Sequence, residues 1–238
     1  DLETASHTQT DTLYYLQYGP LVVATVRPET MFGDVAVAVH PDDARYKEFV
    51  GKTISAQTPI GTMDLTVIAD SIVDPAFGTG ALKITPAHDP NDFDFGVRHE
   101  LPMPEVIDQY GKLNEKTGKY AGMKIDEART AVADDLRALG LLIKEEPYEH
   151  AVTTCYKCNK TLEPRILPQW FVKMRPLADR ALAAVEKGEV RIIPEYSAKV
   201  FNNWLTDIRD WNISRQIVWG IPIPAWFKGE EGIRVIMK

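Results

Sequence analysis

Phe77-Gly78-Thr79-Gly80-Ala81-Leu82-Lys83-Ile84-Thr85-Pro86-Ala87-His88-Asp89-Pro90-Asn91-Asp92 is the stretch on which the reading of this chain turns. Ala81–Ile84 has a strand pattern, and Lys83 and Thr85, two residues apart, share one face of it. Asn91–Glu100 reads as a helix with Asp89 or Asn91 as its N-cap. A strand giving way to a capped helix gathers a cation, a hydroxyl, an imidazole and two carboxylates: Lys83, Thr85, His88, Asp89 and Asp92. Paired carboxylates of this kind hold an ammonium group and position a water. Gly78 and Gly80 permit close backbone approach, but they lack the spacing and Lys-Ser/Thr ending of a phosphate-cradling loop. Two other readings stay open. One makes Asp89 a plain cap, packs His88 in the core and leaves Asp92 solvated. The other makes His88, Asp89 and Asp92 ligands of a divalent ion, although the chain has no second His nearby and no HExxH spacing.

Upstream, Leu13–Tyr18 and Leu21–Val26 predict a hairpin about Gly19-Pro20. Val35–Val39 alternates Val with Ala and predicts a half-buried strand, and Leu65–Ile68 predicts another. Pro41–Val50 predicts a short helix stopped by Gly51. Downstream, Asp126–Leu139 is the clearest helix, with Gly140 as its stop. Regular strand–helix alternation is absent, so residues 10–150 read as an α+β domain with a mixed or barrel-like sheet and flanking helices. The texture changes after His150. Residues 151–168 form a connector holding Cys155-Tyr-Lys-Cys158, and 169–238 a smaller α/β segment with a strand at Gln169–Met174 and a helix at Pro176–Lys187. Trp204, Trp211, Trp219 and Trp226 cluster in that last part, where exposed apolar surface is expected. Its ending after an apolar, strand-like run suggests a piece of something longer.

A 45% hydrophobic and 26% charged composition excludes collagen-like and fully disordered classes. The most apolar run, Ile217–Phe227, is short and broken by Pro222 and Pro224, so no membrane span is expected. Asp1–Thr12 shows no secretory pattern, and two Cys exclude a disulfide scaffold, so the chain reads as cytoplasmic. A net charge of −7 speaks against a general nucleic-acid coat. Lys157, Lys160, Arg165, Lys173, Arg175 and Arg180, opposed only by Glu163 and Asp179, still leave one basic segment for local docking.

Two further segments carry candidate chemistry. In Thr25-Val26-Arg27-Pro28-Glu29-Thr30, a strand end presents the planar fork of Arg27, suited to phosphate or carboxylate, and the hydroxyl of Thr30. The bland alternative is an Arg–Glu surface pair and a cap. Cys155 and Cys158 are half of a tetrahedral zinc site, with His150 a third candidate and no fourth; otherwise they are reduced thiols in a turn.

Arg27-Pro-Glu-Thr30-Met31 with Gly33-Asp34, Phe77-Gly-Thr-Gly80 and Thr85-Pro-Ala-His-Asp-Pro-Asn-Asp92-Phe93 resemble the editing domain of class I aminoacyl-tRNA synthetases, and the His-Asp-Pro-Asn-Asp string resembles the valyl branch. Trp170-Phe-Val-Lys173-Met174 and Asp210-Trp-Asn-Ile-Ser-Arg-Gln216 resemble the return into the catalytic core of that family. Nothing resembles the HIGH or KMSKS signatures, so the resemblance implies no adenylate formation by this stretch. The second Cys pair that some members carry downstream is also absent. A pocket built for valine rejects threonine only about a hundredfold, a figure established for valyl-tRNA synthetases themselves. The resemblance therefore implies hydrolysis of Thr-tRNA(Val), without a cofactor, with the acceptor end of tRNA(Val) and the rest of a synthetase chain as partners. It implies that Asp92 holds the α-ammonium and that Thr85 and Asp89 recognise the side-chain hydroxyl or position the water. Arg27, Thr30 and Lys83 would hold the terminal adenosine and its ester, His88 would line the substrate site, and Phe77 would supply an apolar wall. An activated ester needs orientation and electrostatics rather than a protein nucleophile. The alternatives are an acceptor-end binding module without activity, or the editing domain of a leucyl- or isoleucyl-type member.

Overall fold

The computed structural model describes residues 4–215, 219–227 and 233–235. The chain divides into two compact units, one ending at Ile166 and one starting at Leu167. In the larger unit β1 (Thr4–Tyr18) turns at Gly19-Pro20 into β2 (Leu21–Thr25), as the hairpin signal predicts. Gly19 sits at φ +57, and a Cβ there would lie 2.6 Å from the Ser55 carbonyl oxygen, so only glycine fits this turn.

A turn of 3-10 helix, Pro28–Gly33, leads into β3 (Ala36–Val39), followed by β4 (Thr53–Thr58), β5 (Gly61–Ala69) and β6 (Ala81–Ile84). Next come α1 (Pro90–Arg98), α2 (Ile125–Ala138) and β7 (Leu142–Cys155), which runs without a break through residue 150. Two sheets result. The first is antiparallel, in the order β2-β1-β7. The second is mixed, in the order β4-β5-β3-β6, with β3 parallel to β5 and antiparallel to β6. The α+β class and mixed sheet are as expected, whereas no closed barrel forms among the described residues.

β3 corrects the half-buried expectation, since all four of its residues are buried. It runs between β5 and β6, and its two faces enter different cores. Val37 and Val39 pack with Leu16, Leu65 and the α2 residues Ala128 and Val132. Ala36 and Ala38 pack with Ile84 and Phe95, the latter from α1. The small Ala face is what lets α1 lie close to the strand.

The helix expected at Pro41–Val50 is instead a run of turns, with Asp43, Tyr46 and Phe49 N–H groups donating to the carbonyls three residues back. Side chains outcompete the helical ladder there. Asp43 accepts from both the backbone and the guanidinium of Arg45, and Arg45 also donates to the Pro75 carbonyl at 2.8 Å. The sequence reading also passed over β4, β7 and α4 (Ser197–Thr206).

In the smaller unit, β8 (Phe171–Val172) pairs with β9 (Trp211–Asn212), and α3 (Arg175–Glu186) precedes α4. β10 (Ala225–Phe227) pairs with β11 (Ile233–Val235). Among its described residues only Ala178 is fully buried, while Trp204, Trp211 and Trp219 are exposed. Gln216, part of the Asp210–Gln216 motif, lies outside the described residues. No helix among the described residues is long and apolar enough to cross a membrane.

Gly96 of α1 faces Pro86, where a Cβ would come within 2.9 Å of the Pro86 Cβ and 2.8 Å of the Met103 methyl. Gly96→Ala should therefore destabilise the protein by about 1–3 kcal/mol through overpacking, although alanine is ordinarily worth about 1 kcal/mol more than glycine inside a helix. Urea unfolding of the two forms measures the sign.

Candidate functional site

The end of β6 and the start of α1 meet the 3-10 turn around a cavity of about 130 Å³, lined by Ala24–Arg27, Thr30, Leu82, Lys83, Thr85, His88, Asp89 and Asp92. Seven of the eight residues singled out in the sequence line it together: Arg27, Thr30, Lys83, Thr85, His88, Asp89 and Asp92. Phe77 does not. It lines an adjoining apolar niche of about 190 Å³, which shares Ala24 and Leu82 with the cavity, and its ring meets Tyr148 edge-on at 5.7 Å.

Each polar group has a definite assignment. Lys83 Nζ donates to Thr30 Oγ1 at 3.0 Å, to Asp34 Oδ1 at 2.9 Å and to Thr85 Oγ1, which uses all three of its donors. Asp34 also accepts from the Thr85 hydroxyl and from the Tyr18 hydroxyl at 2.7 Å. The Thr30 hydroxyl donates to the Arg27 carbonyl at 2.9 Å. Both threonine protons are thus committed, and neither hydroxyl is set up as a nucleophile. Burial pushes the Asp34 carboxyl up against the opposing pull of Lys83, and Tyr18 is raised well above its ordinary range, first by burial and then by Asp34.

Asp89 caps α1, one carboxylate oxygen accepting the N–H groups of Asn91 (2.8 Å) and Asp92 (3.2 Å). Asp92 is buried and spends one oxygen on the Thr85 N–H at 2.8 Å, leaving the other for the cavity it lines. Burial, with Asp89 and Asp34 adding repulsion, pushes its carboxyl up to about 7, while Lys83 and the Thr85 N–H pull the other way. His88 is also buried, and burial together with the Arg27 charge lowers it to about 4. The ring is neutral near pH 7. Its Nε2 accepts the Val106 N–H at 2.8 Å, so the proton belongs on Nδ1, which has no well-aligned partner.

Arg27 is held by its surroundings rather than left open. Its guanidinium donates to the His88 carbonyl at 2.9 Å, pairs with Glu163, and lies 3.5 Å from Glu29. Glu29 is fully buried and receives a two-pronged bond from Arg129 of α2, at 2.9 and 3.1 Å. The surface Arg–Glu pair considered from the sequence is therefore part of a chain of alternating charge, with Glu29 buried and the other members partly buried.

Asp34, Tyr18, Glu29, Arg129, Glu163 and the Val106 N–H were not found as site residues from sequence. Asp34 carried a local signal, following Gly33 at the end of the Arg27–Thr30 segment. Arg129 lies a hundred positions from Glu29, and no spacing rule reaches it.

Cys155 and Cys158 lie at the tip of a hairpin in which the Cys155 N–H donates to the Lys160 carbonyl at 2.9 Å. His150 cannot join them. Five residues along a strand put it on the opposite face and roughly 16 Å away, where it bonds Asp11 at 2.8 Å. Among the described residues no three His, Cys, Asp or Glu side chains are grouped to hold a metal ion, and Cys155 and Cys158 supply two of the four ligands a structural zinc site takes. His88, Asp89 and Asp92 do not form such a set either, because the imidazole Nε2 is turned to Val106 and Asp89 to the helix N-terminus.

Residues 3–238 match the family model of tRNA synthetases class I (I, L, M and V). The chain is 50% identical over 238 residues to a valine--tRNA ligase of Carboxydothermus hydrogenoformans, covering 98% of this chain and 27% of that protein. It is 52% identical over 221 residues to the valine--tRNA ligase of Thermotoga maritima, covering 90% of this chain and 25% of that protein. It is 50% identical over 232 residues to that of Fervidobacterium nodosum, covering 95% and 26%. The chain spans about a quarter of the length of these curated relatives.

An acid whose folded value (about 7 for Asp92) lies above its ordinary one (3.8) costs stability as pH rises through the window between them. Asp92→Asn keeps an acceptor for the Thr85 N–H and removes the titration. The variant should gain on the native protein between pH 4 and pH 7, up to a limit of about 4 kcal/mol. Denaturant unfolding at pH 5 and pH 8 checks this; a difference between the two proteins that does not change with pH would be inconsistent with the raised carboxyl.

Proposed function

We propose, from the premise that the chain belongs to the class I tRNA synthetases (I, L, M and V), that the cavity beside α1 is an ester-hydrolysing site that clears threonine from tRNA(Val), as part of a longer valyl-type synthetase. The observation that carries this reading is the Asp92 carboxyl, raised to about 7 in a cavity of about 130 Å³. A pocket well below drug-sized volumes suits one small amino acid. An incoming α-ammonium turns the carboxyl into a carboxylate and pairs with it where the dielectric is low.

Threonine differs from valine by one oxygen, and a site offering hydrogen-bond partners for that oxygen disfavours the apolar twin, which leaves them unpaired. Asp89, half-buried at the cavity and with one oxygen outside the cap, and Thr85 are placed to supply such partners. In the reaction a water oxygen adds to the ester carbonyl carbon, and the bond to the ribose oxygen breaks. The water's proton passes to that ribose oxygen, giving threonine and free tRNA. Asp89 orients the water. Lys83, saturated by Asp34 and the two threonines, acts by fixing and polarising Thr30 and Thr85 rather than by touching the ester. Arg27 and Thr30 line the cavity, Arg27 being the partly exposed one of the two, and Phe77 in the adjoining niche offers a face for a base.

The test uses preformed Thr-tRNA(Val). Deacylation should exceed background, should fall at least about a hundredfold in Asp92→Ala, and kcat/KM should rise with pH through about 7 as the carboxyl ionises. Salt-sensitive binding of tRNA without any turnover would replace this reading with that of an acceptor-end module.

A further inference from the structure

Three consecutive residues after the Cys155–Cys158 hairpin cross the segments that form the cavity. Glu163 pairs with Arg27. The Pro164 backbone lies against His88. Arg165 reaches Glu105 at 3.3 Å, next to Val106, whose N–H holds the His88 ring. The two buried side-chain polar atoms without a well-aligned partner among the described residues are His88 Nδ1, on the ring against Pro164, and Nε of Arg165 itself. Arg27 lines two cavities of about 130 Å³ each. On one side are Asp89 and Asp92; on the other are Glu163, Arg129 and the bonded pair Asp11–His150.

From this placement we infer that Glu163 is a positioning residue for the cavity: it holds the Arg27 guanidinium so that the opposite edge of the fork braces the His88 carbonyl, and thereby sets the backbone from which Asp89 and Asp92 project. Its relevance to hydrolysis rests on the reading given under Proposed function. The physical argument is one of geometry. A guanidinium is a rigid plane, and fixing one edge fixes the other. Here Glu163 takes one terminal nitrogen, the His88 carbonyl takes the other, and Glu29 stands beside Nε. Glu29 meets Arg27 only at Nε, at 3.5 Å, and is itself tied to Arg129, so it holds a different nitrogen of the fork from the one Glu163 holds. The His88 carbonyl directly precedes the N-cap Asp89, and Asp92 is the third residue of the helix that follows. A tilt of the Arg27 plane is passed to Asp89 through one peptide unit and to Asp92 through the first turn of the helix that Asp89 caps. Glu163 hydrogen-bonds Arg27 and does not line the cavity that holds Asp89 and Asp92, so its influence on that cavity runs through Arg27.

The first experiment needs no variant. In the native protein, ¹⁵N NMR of Arg27 should show separate, slowly exchanging terminal guanidinium resonances, because both edges are held; a single rotationally averaged signal would overturn the inference. In Glu163→Gln those resonances should begin to average, and the His88 ring ¹⁵N shifts should move. Unchanged Arg27 and His88 signals in a folded Glu163→Gln protein would likewise overturn it. On Thr-tRNA(Val), kcat in Glu163→Gln should fall about 10- to 100-fold, the range expected for misplaced catalytic groups, with a much smaller change in KM. In an Arg27→Lys background the same change should have less than about a twofold effect, because residues acting through one another are not additive; an equal loss in both backgrounds would assign Glu163 a role independent of Arg27 and refute the inference. Should the native protein deacylate nothing, the hydrolytic reading falls, and the NMR outcomes alone decide whether Glu163 positions Arg27.

Discussion

The buried pair of Lys83 and Asp34 is the contact on which the rest of the larger unit depends. Lys83 lies in β6 and Asp34 follows the 3-10 turn; Thr85 at the β6 end bonds both, Thr30 of the turn bonds Lys83, and Tyr18 of β1 bonds Asp34. One cluster therefore joins both sheets to the turn that carries Arg27. A charge pair this far from water holds only when the remaining donors and acceptors are satisfied, and here every Lys83 proton and both Asp34 oxygens have a partner. The same bonds that close the core decide which hydroxyls face the cavity with their protons already spent.

A second chain of charge runs outward from that cluster: Arg129, Glu29, Arg27 and Glu163 alternate in sign. Burial pushes the Glu163 carboxyl up while Arg27 pulls it down. Alternation lets the buried Glu29 and the partly buried Arg27, Arg129 and Glu163 sit together without a net charge, which a low-dielectric interior would penalise. Asp92 is different. It lies within reach of Lys83, but that cation is already committed to Asp34, so Asp92 is left as a carboxyl short of a counter-charge. In the proposed reading, the α-ammonium of the substrate supplies that missing counter-charge.

Much of this was legible locally. The glycine turn at residue 19, the Asp89 cap and the α2 stop each rest on interactions within a few residues, and the structure has all three. The Pro41–Val50 segment misled because the propensity signals for a helix were real, while the competing bonds of Asp43 and Arg45, one of them to Pro75, come partly from another loop. β7 was missed because its charged sequence has no strand signal of its own; its partner β1 supplies the hydrogen bonds. The half-buried expectation for β3 failed for a related reason. Alternation of Val and Ala marks two faces but cannot say that both are covered, and α1 covers the second.

The sequence alone determined which chemistry is gathered at the β6–α1 junction, because Lys83 to Asp92 are close along the chain and a strand end followed by a capped helix has few geometries. It also carried the family resemblance, which is a property of the ordered residue types. Only the tertiary structure decided the electrical state of those groups. Whether Lys83 is free or spent, whether Asp92 has a counter-ion, and whether Arg27 is open or braced depend on Asp34, Glu29, Arg129 and Glu163, brought in from up to 136 positions away. Coulomb energies and desolvation depend on distance in space and on burial, and neither is written in the order of residues along a chain.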